Sequence, residues 1–384
     1  MSHDLGLILT LASGLTAALV FGGITHRLRL SPIVGYLLAG IVIGPFTPGF
    51  VADRRIADQL AELGVILLMF GVGLHFHARD LLRVQRIALP GAIVQIAIAT
   101  VLGAVATSAF GWSLGAGVVF GLAISVASTV VLVRVLSDHD ELHTSAGHIA
   151  VGWLLVEDLF TVLVLVLLPA LARAKGGAAG DVAVSLGAAL LKIGVLVAFT
   201  AFVGRRAIPA LLRMVARSRS RELFTLAVLA LALGIAVGSA ELFGASMALG
   251  AFLAGMVVGQ SEFSARAMSE ALPMRDAFAV LFFVAMGMLL DPSALVDHAA
   301  LTAATLAIVV LGKPLAAVAV VLALRYPLRT ALRVAVALAQ IGEFSFILAQ
   351  LGLGLEVLPA EAMPALVAAS IVSITLNPFL YRAV

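Results

Sequence analysis

Apolar residues in this chain fall into long runs, separated by short stretches where Arg, Gly, Pro and acidic residues gather. A helix that crosses a bilayer needs about 20 predominantly apolar residues at 1.5 Å rise each. On that scale the pattern predicts thirteen helical segments: 5–25, 31–45, 59–75, 88–110, 115–136, 147–170, 182–204, 222–240, 245–260, 276–291, 299–324, 331–353 and 362–381. Segments 2 and 9 are short and rich in Gly. There Gly35, Gly40, Gly250 and Gly255 predict close helix packing through small residues.

The pattern also repeats. Gly35-Tyr-Leu-Leu-Ala-Gly-Ile-Val-Ile-Gly44 aligns with Gly250-Ala-Phe-Leu-Ala-Gly-Met-Val-Val-Gly259 with six identities in ten at an offset of 215. One segment later, Val65-Ile-Leu-Leu-Met-Phe-Gly-Val-Gly73 aligns with Ala279-Val-Leu-Phe-Phe-Val-Ala-Met-Gly287 at an offset of 214. Matched segments lie seven spans apart, and an odd separation reverses their direction across the membrane. Segments 1–6 and 8–13 therefore predict two inverted-topology repeats, the plan of many secondary transporters, with segment 7 as linker.

Composition sharpens the class. The 384 residues are 62% hydrophobic and 12% charged, with a mean hydropathy of +1.16, whereas soluble domains run about 45 to 50% apolar and 25% charged. The expectation is an all-α polytopic membrane protein whose constant partner is the lipid bilayer. Cysteine is absent, which excludes disulfides, thiolate metal sites and cysteine nucleophiles. The net charge of +3 comes from arginines scattered between apolar runs with few aromatics, a topology signal and not a nucleic-acid surface. No basic n-region precedes the first run, so no cleavable signal peptide is expected. With the N-terminus outside and the C-terminus cytoplasmic, connections on the inner side hold eighteen of the 24 Lys and Arg, while the outer side holds Arg54, Arg55, Arg173 and Lys175. That asymmetry predicts a multi-pass protein of a bacterial-type inner membrane.

Five ionisable residues fall well inside segments, away from their ends: Glu157 and Asp158 in segment 6, Lys192 in segment 7, Lys313 in segment 11 and Glu343 in segment 12. A charge near mid-bilayer costs roughly 2.5 to 3.5 kcal/mol on insertion scales, so such groups face the bundle interior and pair with one another. The 215 offset also carries the polar stretch Ser125-Val-Ala-Ser128-Thr129 onto Gln340-Ile-Gly342-Glu343-Phe344. Helices broken at corresponding positions of two halves mark a transport site, because their free carbonyls and amides can meet an ion.

Asp158 is the expected ion and proton site, with Glu157 as its ion- and proton-binding partner. A dehydrated monovalent cation requires oxygen ligands, and one carboxylate holds a cation or a proton but not both well. Ser128 and Thr129 offer hydroxyl or backbone oxygens beside it, placing the cation at Asp158 and Thr129; ordinary helix packing is their alternative role. Adjacent residues on a helix point about 100° apart, so Glu157 and Asp158 cannot both face one point. Glu343 is expected to balance the positive half-helix ends, and Lys192 to snorkel or hold structure. His75, His77, His139, His143 and His148 lie toward one side of segments 3, 5 and 6, solvated or available as pH sensors. Neither a H-E-x-x-H motif nor a nucleophile elbow occurs in the segments, so a transporter without a cofactor is expected, not an enzyme.

Leu30-Ser-Pro-Ile-Val-Gly-Tyr-Leu-Leu-Ala-Gly40, Leu63-Gly-Val-Ile-Leu-Leu-Met-Phe-Gly-Val-Gly-Leu74, Ala127-Ser-Thr-Val-Val-Leu132, Glu157-Asp158, Gly250-Ala-Phe-Leu-Ala-Gly255 and Gln340-Ile-Gly-Glu-Phe344 together resemble the cation:proton antiporter-2 family over nearly the whole chain. Within it they resemble the Kef-type potassium/proton antiporters of the YbaL-like branch. The resemblance implies a sodium/proton antiporter-like fold with segments 5 and 12 crossed and partly unwound. It further implies a homodimer and alternating access by an elevator-like core. The implied division gives 1–110 to scaffold segments 1–3 and core segment 4, and 111–175 to core segments 5 and 6. The linker and a basic loop take 176–221, scaffold segments 8–10 take 222–298, and core segments 11–13 take 299–384. It suggests that Glu157 pairs with Lys313, either as a structural lock or with Lys313 as a second proton carrier.

Two departures from the family bear on function. Related sodium/proton antiporters carry Asp-Asp or Asn-Asp at the segment 6 pair and many potassium exporters carry Gln-Asp, whereas this chain has Glu-Asp, which leaves ion choice and stoichiometry open. Kef-type proteins usually continue into a cytosolic nucleotide-binding regulatory domain, a partner absent from these residues. The expected function is secondary exchange of a monovalent cation, K+ first and Na+ second, for H+. Proton-driven efflux of an organic or drug-like substrate and a gated K+ efflux channel are its rivals.

Overall fold

The computed structural model describes residues 6–48, 52–75, 78–142, 144–173, 187, 191, 194–196, 198–243, 246–291, 293 and 297–384. Every regular element among them is helical. The first run forms α1 (Gly6–Arg27), and α2 (Pro32–Ile43) follows with Ser31 as its cap and proline in its first turn. There the missing N–H is no loss, because first-turn amides have no helical partner. Next come α3 (Arg54–His75) and α4 (Ala78–Ser108). Segment 5 is two helices, α5 (Leu114–Ser125) and α6 (Thr129–Asp138), and segment 6 is α7 (Ser145–Arg173).

Segment 7 ends in a π turn at Thr200–Gly204 and runs on into α8 (Arg205–Arg217). Beyond it lie α9 (Arg221–Phe243), α10 (Met247–Gly259) and α11 (Ser264–Met288). Segment 11 is α12 (Ala299–Ala307), a π turn at Ile308–Gly312 and α13 (Lys313–Ala323). Segment 12 is again two helices, α14 (Leu328–Ala337) and α15 (Glu343–Gly354), and α16 (Ala362–Ala383) closes the series. All thirteen predicted segments thus carry helix among the described residues. Among the described residues nine stretches are long and apolar enough to cross a membrane, and α2, α10 and α15 are shorter apolar helices. The chain is a multi-pass membrane protein.

Two expectations are corrected. Helix α4 begins at Ala78 and α11 at Ser264, well before the predicted 88 and 276. Hydropathy stops at a charge, but backbone hydrogen bonding does not, so helices run past the apolar band. The stretch predicted as a basic loop is helical for the same reason: α8 buries Ile208 and Leu212, four residues apart, and leaves its arginines outside.

The described chain packs as two compact units. The first comprises 1–54, 78–161 and 283–384 and contains both interrupted segments; the second comprises 55–77 and 162–282. In the first unit, Gly40 of α2 rests on the carbonyl of Val284 and Gly287 of α11 rests on the carbonyl of Leu37. In the second, Gly255 of α10 rests on the carbonyl of Phe70 and Gly73 of α3 on the carbonyl of Phe252. A Cβ at any of the four would overlap that backbone. Under the offsets of 214 and 215 the two contacts are one contact made twice, which is the inverted repeat expressed in packing.

One ionic cluster ties the first unit together away from its centre. Glu141, in the loop after α6, accepts from the Tyr381 hydroxyl of α16 at 2.6 Å and pairs with Arg333 of α14 at 2.7 Å.

Candidate functional site

An interrupted helix leaves amides and carbonyls that a dry interior must satisfy from elsewhere. Between α5 and α6 the chain is extended, with Val126 at φ −88°, ψ 135° and Ser128 at φ −85°, ψ 126°. Between α14 and α15 it is extended again at Gly342, φ −98°, ψ 171°. These two breaks cross and satisfy each other. Gly342 N–H donates to the Val126 carbonyl at 3.1 Å. The Gln340 side chain bonds Ser128 in both senses, accepting from its N–H at 2.8 Å and donating to its carbonyl at 3.1 Å. The Ser345 hydroxyl donates to the Val126 carbonyl at 3.4 Å. Glycine is required at 342 by proximity, since a Cβ there would lie 2.5 Å from the Ala127 carbonyl oxygen.

Glu157, Asp158, Lys313 and Glu343 surround this crossing. Glu157, fully buried on α7, accepts from Ala127 N–H at 2.9 Å on Oε2 and from Gln95 Nε2 at 2.8 Å on Oε1. Lys313, equally buried, begins α13 directly after the π turn, and its Nζ donates to the Gln340 carbonyl at 3.1 Å. Glu157 is its electrostatic partner through space. The expected pair therefore grips the crossing from both strands, Glu157 through Ala127 and Lys313 through Gln340.

Asp158 differs. It is 4% exposed, and its Oδ2 accepts from the Thr129 hydroxyl at 3.3 Å. Its Oδ1 is buried without a hydrogen-bond partner. Thr129 itself is half-buried at the first turn of α6, so Asp158 is joined through its Oδ2 to the more open flank of the crossing. The charges of Glu343 and Glu157 both act on Asp158. Glu343 is the first residue of α15, where the half-helix dipole favours a negative charge. The Ser128 hydroxyl is occupied as the cap of α6, accepting from Val131 N–H at 3.3 Å. An uncompensated anionic oxygen next to a hydroxyl suits a proton or a small oxygen-seeking cation, one at a time.

Among the other expected residues, Lys192, His77 and His143 lie outside the described residues. His75, His139 and His148 each bond a carbonyl of their own chain four residues back, at 2.8, 2.9 and 2.9 Å. Gln340, which opens the polar stretch marked in the sequence, holds the crossing. Two participants escaped sequence reasoning: Gln95 of α4 reaches Glu157, and Trp153 Nε1 donates to Gln95 Oε1 at 2.9 Å. The signal for Gln95 is that it is the lone side-chain amide in the apolar run of segment 4.

The chain has known relatives. The chain matches the family described as "Sodium/hydrogen exchanger, transmembrane" over residues 14–383. It is 54% identical over 384 residues to YbaL of Escherichia coli (strain K12), named for cation/proton antiport, covering 99% of this chain and 69% of that protein. It is 35% identical over 364 residues to the iron transporter MagA of Paramagnetospirillum magneticum, covering 94% and 82%. It is 31% identical over 382 residues to K(+) efflux antiporter 5 of Arabidopsis thaliana, covering 98% and 67%. The solved structure of the sodium proton antiporter MjNhaP1 from Methanocaldococcus jannaschii at pH 8 superposes with a TM-score of 0.66 over 97% of this chain and 94% of that one; at 17% identity this shows the fold. Thirteen helical segments, two of them broken and crossed, and a family match from residue 14 to residue 383 lead to one assignment: the chain belongs to the sodium/hydrogen exchanger family.

Proposed function

We propose that this transporter exchanges a monovalent cation, K+ first and Na+ second, for H+ at Asp158, one occupant excluding the other. The observation that carries the reading is the buried, unpartnered Oδ1 of Asp158 beside the Thr129 hydroxyl. A carboxylate in that position is unstable bare, because an unpaired buried anion costs several kcal/mol. Proton and dehydrated cation relieve the same defect, so binding one displaces the other and couples their movements. Alternating access then presents the loaded site to each side in turn. Kef-type motifs and the likeness to a K(+) efflux antiporter favour K+.

The remaining family expectations belong to the same proposal. Segments 4–6 and 11–13 form the moving core, segments 1–3 and 8–10 the scaffold of a homodimer, and the Arg-rich connections face the cytoplasm, where a nucleotide-binding regulatory domain would attach.

Reconstitution with an internal pH dye tests the assignment. Adding K+, Na+, Li+ and Rb+ in turn to wild-type vesicles is expected to move protons, with K+ the most effective. Asp158→Asn is expected to fall to the protein-free background. An Asp158→Asn protein that exchanges at the wild-type rate would sink the site. A wild type indifferent to every monovalent ion would shift the cargo to another class, such as an organic substrate or the iron named for MagA.

A further inference from the structure

The crossing is supported from α4 and α7. Helix α7 presents Trp153 and Glu157 four residues apart, and α4 presents Gly91 and Gln95 four residues apart, so each pair shares one helix face. The Trp153 ring occupies the space a Cβ at Gly91 would fill. An indole N–H only donates, so the Gln95 atom that meets it is the oxygen, which fixes the orientation of the amide. Both Gln95 N–H groups then point inward, one to Glu157 Oε1 at 2.8 Å and one to the Ser125 carbonyl at the end of α5 at 3.0 Å. With Ala127 N–H on Oε2, both oxygens of Glu157 face donors. A proton on either would aim its O–H at an N–H. Trp153, Gln95 and Glu157 are all fully buried, so water is not at hand to take over any of these bonds.

We propose that Trp153 and Gln95 are positioning residues of the transport site: they hold Glu157 as a fixed two-oxygen anchor of the crossing, so that Asp158 alone changes its occupant and each cation is exchanged for one proton without net charge movement. The proposal rests on Asp158 being the exchanging carboxylate. Lys313, held by the Gln340 carbonyl, balances Glu157 throughout the cycle. Glu343, the third buried carboxylate, stays at its half-helix end. The balance is then simple. Asp158 releases H+ to one side as it takes M+ from that side, and on the other side it releases M+ and regains H+. The charge of the site is the same in both loaded states.

The full chain in proteoliposomes decides this, with the membrane potential set at 0 and −100 mV by a permeant ion that is not transported. Wild-type exchange is expected to reach the same final pH difference at both potentials. Gln95→Glu keeps the side-chain shape and the acceptor for Trp153 but removes both N–H donors and sets a second carboxylate beside Glu157. Its pH profile is expected to shift and its exchange to become voltage-dependent. Trp153→Phe, which keeps the ring over Gly91, is expected to raise the half-saturating cation concentration about threefold to tenfold at unchanged maximal rate. A wild-type final gradient that shifts with potential, on the order of 50-fold per 100 mV for one net charge, overturns the proposal. So does Gln95→Glu with the wild-type pH profile and voltage response. If Gln95→Glu does not fold, Trp153→Phe and the wild-type voltage series decide. Asp158→Asn run alongside separates the two levels: persistent exchange there removes the site itself, whereas a dead Asp158→Asn with a voltage-dependent wild type removes only the anchored Glu157.

Discussion

Two neighbouring acids in one apolar run are equivalent by composition, and their hydrogen bonds divide them. Glu157 is satisfied on both oxygens, whereas Asp158 is satisfied on one. Such a difference is invisible in sequence except through the 100° turn between adjacent side chains, which says that they differ but not how. The same reasoning gives Thr129 a measurable role. Its hydroxyl is the one side-chain donor to Asp158 among the described residues, and it stands on the more open flank. Thr129→Val, nearly equal in volume, is expected to raise the half-saturating cation concentration about tenfold, the equivalent of one hydrogen bond of roughly 1 to 1.5 kcal/mol, with the fold intact; Thr129→Ser should restore most of it. Wild-type cation dependence in Thr129→Val, read from dye titrations, would remove the hydroxyl from the site.

Helices carry the residues to the crossing, and here legibility was uneven. The positions of the breaks were readable without a proline at either, because the 215 offset laid Ser125–Thr129 onto Gln340–Phe344 and two weak signals at matching places reinforce each other. Helix ends were not, since Arg79, Arg83 and Arg86 halt a hydropathy scan but not a helix. The π turn at Ile308–Gly312 was also unreadable: an added residue in one turn changes where Lys313 points, yet Ile-Val-Val-Leu-Gly looks like any apolar helix. Gln95 and Trp153 were missed for a related reason, because a partnership between helices 58 residues apart in sequence leaves no local pattern. The crossing at Gly342 tolerates little added bulk. Gly342→Ala drives a methyl into the Ala127 carbonyl and is expected to destabilise by about 1 to 3 kcal/mol, seen as a lower thermal midpoint in detergent together with lost exchange. Ser345→Ala, which gives up only a 3.4 Å bond, should barely move that midpoint; equal midpoints for the two variants would show the approach at Gly342 to be slack.

At the scale of the whole molecule the organising fact is duplication. Gly40 on Val284 and Gly255 on Phe70 are the same contact in two settings, so Gly40→Ala and Gly255→Ala are expected to lower the thermal midpoint by similar amounts. A loss at one and none at the other would mean that the repeat has ceased to matter for packing. In both settings the second helix of one half lies against the third helix of the other half, and neither half supplies its own partner. A one-repeat ancestor would have found that partner only in a copy of itself inserted upside down. Such a protein must enter the membrane in both directions, which requires a nearly even spread of arginines between its two sides. The topology expected from the sequence would give eighteen of the 24 Lys and Arg to one side and four to the other. Such a bias suits a chain whose two opposed halves are already joined, because neither half then has to insert in both directions.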